Sequence, residues 1–181
     1  MNRPPRLPGD PTPRQELERA LRVDHAGEYG AMRIYAGQLA VLGSGPSGPA
    51  IRHMAAQEQR HLDTFAALLA ERRVRPTLLS PFWHMAGYAL GAATALLGEK
   101  AAMACTVAVE DVIDDHYRRQ AERLAADEPA LCRTLDEFRA DELAHRDTAL
   151  SNGAEQAPGY DVLSFGVCAS TRLATWLSER L

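Results

Sequence analysis

Basic charge is not in surplus, which gives no hint of a nucleic-acid partner: 20 Lys and Arg stand against 24 Asp and Glu, a net charge of −4. Cysteine is scarce. Cys105, Cys132 and Cys168 show no C-x-x-C spacing and lie in apolar or helical context, which excludes a disulfide framework or thiolate metal site and leaves reduced thiols. No strand-like alternation of apolar and polar residues occurs, so a sheet is excluded, and no nucleotide-binding glycine motif is expected. No charged and then apolar segment opens the chain, so no secretory signal is expected, and the leader from Pro4 to Pro13 is too proline-broken for a transit peptide. The most apolar of the charge-free runs, Met85 to Gly98, has 14 residues. That falls short of the ~20 needed to span a bilayer.

What remains is helical. Thr12, with Pro13 next and Gln15 at the capping-box position, predicts a helix start. That helix runs to the break Gly43-Ser44-Gly45-Pro46-Ser47-Gly48-Pro49. Further helices are predicted from about Ala50 to Arg73, Pro81 to Gly98, Glu99 to Ala125, Pro129 to Ser151, and from near Asp161 onward. The reading is all-α: a flexible leader over residues 1–13 and one domain over 14–181.

Two Glu-x-x-His motifs stand on these helices, Glu58-Gln59-Arg60-His61 and Glu142-Leu143-Ala144-His145. A Glu and a His three apart on a helix share a face, so both can reach one metal ion. With 13 Glu and 6 His in the chain, about 0.4 such pairs arise by chance, so the motifs alone are only suggestive. Their surroundings decide the matter. Glu28 and Glu110 are 82 residues apart, as are Tyr35 and Tyr117; Glu58 and Glu142 are 84 apart, as are His61 and His145. This is a duplicated helix pair, each copy giving a lone Glu and then a Glu-x-x-His. Four carboxylates and two imidazoles from four helices are the ligand set of ferritin-like di-iron bundles, here with two additional helices. Buried without cations, four carboxylates would be prohibitive. Carboxylate and imidazole donors without thiolate suit iron rather than zinc or an iron–sulfur cluster.

Around that set, Asp141 is placed to accept the outer N–H of His61 from across the bundle, and Gln57 holds the equivalent position in the first copy. Tyr35 and Tyr117 lie two turns from the lone glutamates, suited to hydrogen bonding inside the bundle or simply to packing. His25 reads as a supporting or surface residue rather than a seventh ligand, and His53 and His84 have no ligand-like company.

The stretches Arg22-Val23-Asp24-His25-Ala26-Gly27-Glu28-Tyr29-Gly30-Ala31 and Ile34-Tyr35-Ala36-Gly37-Gln38 resemble the demethoxyubiquinone hydroxylase family of ubiquinone biosynthesis. So do Glu58-Gln59-Arg60-His61-Leu62, Val109-Glu110, His116-Tyr117 and Glu142-Leu143-Ala144-His145, a likeness running from about Leu21 to the C-terminus. The resemblance implies two iron ions held by Glu28, Glu58, His61, Glu110, Glu142 and His145, with Glu58 and Glu142 bridging. It also implies a catalytic role for His116 and Tyr117 beside quinone and iron. The implied reaction is O2-dependent hydroxylation of a 2-polyprenyl-3-methyl-6-methoxy-1,4-benzoquinone or quinol, with electrons ultimately from NADH. The expected setting is the cytoplasmic face of a bacterial membrane, as a peripheral protein.

A bilayer-resident substrate gives the apolar runs Met85–Gly98 and Ala101–Val109 a use, as an interfacial helix or a route for the tail; a helix buried on all sides is the competing reading. The last helix, with Phe165, Val167, Leu173, Trp176 and Leu177, is expected to extend that apolar surface, or to serve a homodimer or a lipid-binding partner protein. A rubrerythrin- or ferritin-like iron or peroxide protein is the alternative enzyme reading, and a metal-stabilised scaffold the non-catalytic one.

Overall fold

The computed structural model describes Leu7 and residues 9–181, so most of the expected leader lies outside the described residues. Six α-helices follow: α1 Pro13–Leu42, α2 Gly48–Arg72, α3 Ser80–Leu96, α4 Glu99–Leu124, α5 Pro129–Ser151 and α6 Tyr160–Ser178. A 3-10 turn at Ala154–Gln156, which no sequence signal announced, joins the last two. The boundaries fall within two residues of those read from the caps and breakers, except that the last helix, expected to reach the C-terminus, stops at Ser178, three residues before Leu181. Thr12 closes a reciprocal capping box with Gln15: its hydroxyl accepts from the Gln15 amide at 3.2 Å, and its own amide donates to the Gln15 side chain at 2.9 Å.

Contrary to the expectation that no nucleotide-binding glycine motif occurs, Gly43, Gly45 and Gly48 spell the dinucleotide fingerprint letter for letter. The loop they form joins two helices and has no strand before it, so it is a tight reversal and no more.

Four helices, α1, α2, α4 and α5, form the bundle, and two apolar clusters divide it along its length. Leu21 on α1, Phe65 and Leu69 on α2, Ile113 and Leu124 on α4, and Leu131 and Leu135 on α5 meet at one end. Tyr35, Ile51, Met54, Met103, Ala104 and Ala149 from the same four helices meet at the other. The order in which each helix visits the two ends sets the topology. α1 and α5 run one way, α2 and α4 the other, and α3 is the long crossover between the halves. That is the single-crossover arrangement of ferritin-like bundles.

α4 is the central element, with every residue from Ala101 to Glu110 buried. The charge-free stretch Ala101–Val109 is therefore core on all sides rather than surface. α3 differs. It lies so close to α1 that a Cβ on Gly91 would overlap the Ile34 carbonyl, and one on Gly37 would overlap the Tyr88 carbonyl. That contact buries one glycine-lined face, while Phe82, Met85, Leu96 and Leu97 on the other are exposed. The reading of α3 as a helix enclosed on all sides is thereby overturned. On α6, Val162, Phe165, Leu173 and Trp176 are exposed, whereas Val167 turns inward to the core and Leu177 is half-buried. No helix among the described residues is long and apolar enough to cross a membrane.

Candidate metal centre

Between the two apolar clusters, at mid-height of the bundle, each of the four helices presents its polar residues inward. Glu28 comes from α1, Glu58 and His61 from α2, Glu110 from α4, and Glu142 and His145 from α5, all essentially inaccessible to solvent. The structure brings all six together in two overlapping groups: Glu28, Glu58, His61 and Glu142, and Glu58, Glu110, Glu142 and His145. In each group one donor atom per residue lies within 4.8 Å of the others. Glu58 and Glu142 belong to both, which is the arrangement required of bridging carboxylates.

Both imidazoles turn the same nitrogen inward. His61 Nδ1 lies 3.1 Å from Glu142 Oε1 and 3.6 Å from Glu28 Oε2. His145 Nδ1 lies 3.1 Å from Glu58 Oε1 and 3.2 Å from Glu142 Oε2. The outward nitrogens find different partners: His61 Nε2 donates to Asp141 Oδ2 at 3.1 Å, and His145 Nε2 to Gln57 Oε1 at 3.2 Å. Each outer bond crosses between α2 and α5, so each fixes a ring from the opposite repeat. Phe138 stacks on the His61 ring at 3.9 Å between centroids.

The lone glutamates are likewise held crosswise. Tyr35 on α1 donates to Glu110 Oε1 at 2.7 Å, and Tyr117 on α4 donates to Glu28 Oε1. Both tyrosines are thus polar partners of the opposite repeat's glutamate.

Charge in this cluster is poorly balanced by protein alone. Burial, with the Glu142, Glu28 and Glu110 carboxylates close by, pushes the Glu58 carboxyl well above its ordinary range. Burial and Glu142 do the same to Glu110, and burial raises Glu142. Burial is the largest single influence on Glu28 and acts to raise it, but His61, Glu58 and Tyr117 together outweigh it and leave Glu28 lowered. Burial opposes protonation of His61, yet the Glu142 and Glu28 carboxylates beside its Nδ1 win together and push it up to about 10. Burial lowers His145.

Several inward-facing atoms have no hydrogen-bond partner: one oxygen of Glu28, both of Glu58, one of Glu110, one of Glu142, and His61 Nδ1. Buried polar atoms are normally satisfied, and unpaired ones of this kind are costly. Their convergence, with hard oxygen donors and one nitrogen per group, fits two first-row metal ions such as iron.

His116, expected from the resemblance to be catalytic, forms a neighbouring triad with Asp24 and Gln120, to which the sequence had assigned no role. Asp24 is buried, and its Oδ1 accepts from His116 Nε2 at 3.1 Å while Gln120 donates to its other oxygen. The 82-residue offset could have found part of it, since it pairs Gln120 with Gln38 and Thr106 with Asp24. Gln38 indeed donates to Thr106 Oγ1 at 3.4 Å and to the Ala102 carbonyl at 3.1 Å, the mirror of Gln120 with Asp24. His25 is half-buried with Nδ1 unpartnered, His53 is exposed, and His84 Nδ1 meets the Tyr29 hydroxyl at 2.6 Å. None of the three joins the cluster.

An apolar cavity of about 290 Å3 opens between α1, α3, α4 and α6, walled by residues that include Val23, Ile34, Trp83, Leu90, Val109 and Ile113. Gly27 and Gly30 line it too, and a Cβ added to either would meet nothing within 4 Å. A narrow cleft shares Val23, Gly27, Ile113 and Thr175 with that cavity and ends on Asp24, Glu28, His116 and Tyr117. His116 also lines a surface groove beside Arg119, Arg172 and Trp176, so it stands between solvent and the cleft.

Comparison with known proteins agrees with this geometry. A family model described as ubiquinone biosynthesis protein COQ7 matches residues 15–178. The chain is 59% identical over 177 residues to the 3-demethoxyubiquinol 3-hydroxylase of Rhodospirillum rubrum, covering 97% of this chain and 84% of that one. To the mitochondrial NADPH-dependent 3-demethoxyubiquinone 3-hydroxylase of Homo sapiens it is 51% identical over 172 residues, 93% of this chain and 79% of the relative. To the mitochondrial 5-demethoxyubiquinone hydroxylase of Saccharomyces cerevisiae it is 42% identical over 182 aligned positions, 91% and 78% of the two chains.

Proposed function

The chain belongs to the family of the ubiquinone biosynthesis protein COQ7, and on that premise we propose that it hydroxylates the ring of a demethoxyubiquinone or its quinol, using O2 and a pair of iron ions. The observation that carries this reading is the apolar cavity together with the cleft beside it, which shares Gly27 and Ile113 with the cavity and ends on Glu28 and Tyr117. A storage or peroxide-reducing bundle needs the six ligands but has no use for such a cavity, and the matched relatives are named as hydroxylases.

Glu28, Glu58, His61 and Glu142 would hold one iron, and Glu58, Glu110, Glu142 and His145 the other. When bound, the ions supply reductive activation of O2, one atom going to the ring and the other to water. The protein's own part is positional. Tyr117 and Tyr35 hold Glu28 and Glu110 from across the bundle, and Asp141 and Gln57 orient the two imidazoles. The cavity excludes water and seats the ring. At about 290 Å3 it is at the low end for a small-molecule site, room for a head group and the start of a tail but not a long polyprenyl chain. His116, its Nε2 tied to Asp24, and Tyr117 would carry protons between the cleft and the surface groove.

The remainder of the tail must lie outside. Exposed Phe82, Met85, Phe165 and Trp176 on α3 and α6 offer an apolar, aromatic-edged face suited to resting in a bilayer interface, with Arg180 stacked over Trp176 at 4.2 Å. This makes the protein peripheral to the membrane; the same face is the place for a second copy or a lipid-binding partner. Electrons come from a reduced nicotinamide nucleotide, NADH in the simplest case, acting without a Rossmann domain.

The test is direct. Iron-loaded protein, a short-tail demethoxyquinone, NADH and O2 should yield a product heavier by one oxygen atom by mass spectrometry, with the label from 18O2. Glu142→Ala should abolish it. No oxygen incorporation by protein carrying two irons per chain would overturn the assignment.

A further inference from the structure

The two halves of the centre are related by the duplication, and they depart from that symmetry in one chemically pointed place. The position 84 residues from Gln57 is Asp141. His61 therefore donates its outer N–H to a carboxylate at 3.1 Å, while His145 donates to a neutral amide at 3.2 Å. The ligand sets themselves are alike, each with three carboxylates, one imidazole turned by Nδ1 and one cross-repeat tyrosine; the one other difference beside the rings is apolar, Phe138 on His61 against Met54 at the equivalent position. A negatively charged acceptor draws the N–H proton more strongly than an amide oxygen does, and this makes the inward nitrogen a stronger donor. Arg60, 3.7 Å from the same Asp141 oxygen, keeps that carboxylate in place from the exposed side.

The halves also differ in what they face. The cleft from the apolar cavity ends on Glu28 and Tyr117, and neither Glu110 nor Tyr35 lines it.

We infer that the two ion positions are inequivalent. The position at Glu28 and His61, which faces the cavity, binds a divalent cation at least ~10-fold more tightly than the position at Glu110 and His145, because Asp141 rather than an amide backs its imidazole. The ion bordering the substrate cavity is then the last to leave, and a partly loaded protein keeps its metal on that side. This rests on the two-metal reading above, and metal binding itself tests it without turnover.

Metal-free protein is titrated with Mn(II) at about pH 8 by calorimetry, with manganese per chain counted independently. Two steps are expected, the first tighter by tenfold or more. Glu28→Ala should remove the tight step and Glu110→Ala the weak one. Asp141→Asn, nearly the same shape, should weaken the tight step by about 10- to 100-fold and leave the weak one in place. Gln57→Glu, which gives the second half its own carboxylate, should tighten the weak step and narrow the gap. Circular dichroism on each variant confirms retained helix. Two equal steps in the unaltered protein, or Asp141→Asn leaving both constants within twofold, would overturn the inference while leaving a two-metal site standing. Uptake of less than two ions per chain would sink the two-metal reading itself, and the two failures are thus told apart.

Discussion

Every inward carboxylate in the bundle is shifted from its ordinary protonation by burial and by its neighbours, and this has a consequence for stability that can be measured. His61 is pushed up to about 10 from 6.5, and Glu58 and Glu110 sit well above 4.5. A group whose pKa is raised on folding binds more protons in the native state, so its stabilisation is complete below the unfolded value and is lost as pH rises through the folded one. His145, lowered by burial, is neutral in both states above its ordinary 6.5 and drops out of the balance there. Metal-free protein should therefore lose thermal stability between about pH 7 and about pH 9, and saturating Mn(II) should flatten that slope by replacing the protons. A midpoint that rises with pH in the metal-free protein would contradict the charge balance of the site.

The residue scale also shows where sequence patterns were sufficient. The 82- and 84-residue offsets picked out the six converging residues, because side chains at helical spacing on facing repeats must point to one axis. They did not single out Asp24 and His116. That pair breaks the repeat, since the 82-residue offset sets Thr106 against Asp24 and Ile34 against His116. It became visible only when α1 and α4 were packed face to face.

Among the elements, α3 does most to make room for a ligand. Its glycine face lets it lie against α1, and Trp83, Ala86, Gly87 and Leu90 then wall the cavity from one side while α6 closes another. Trp83 Nε1 donates to Ser178 Oγ at 3.0 Å and ties the start of α3 to the end of α6. A methyl group on Gly91 has nowhere to go but into the Ile34 backbone. Gly91→Ala should therefore cost about 1–3 kcal/mol by urea unfolding, as overpacking of a helix contact does. Gly166→Ala on the exposed side of α6, where an added Cβ meets nothing within 4 Å, should be neutral or slightly stabilising. Equal effects of the two would mean that the α1–α3 contact is not as close as it stands here. Helix boundaries were legible because caps and breakers are local. Which face of α3 is buried was not, since an uncharged helix of alanines and glycines carries no amphipathic stripe to orient it.

At the scale of the whole molecule, α3 and α6 give the bundle one side unlike the rest. Met85 and Phe165 are 67% and 76% exposed, an unusual outlay of large apolar side chains on a chain of net charge −4. The protein should co-sediment with phospholipid vesicles, and Met85→Glu with Phe165→Glu should reduce the bound fraction severalfold while Mn(II) stoichiometry stays unchanged. Vesicle binding unaffected by that pair would move the membrane-facing side elsewhere.

The sequence by itself determined the helices, the duplication and the identity of the six converging residues, because periodicity, capping and ligand spacing act over a few residues at a time. It also carried the family. Tertiary structure alone decided which of two charge-free stretches is core and which is surface: Ala101–Val109 is enclosed by the other helices, whereas Met85–Gly98 is covered on one side only. It decided too that the cleft beside the cavity ends on Glu28 and not on Glu110, since the duplication predicts equivalent halves and only the placement of α3 and α6 makes them different.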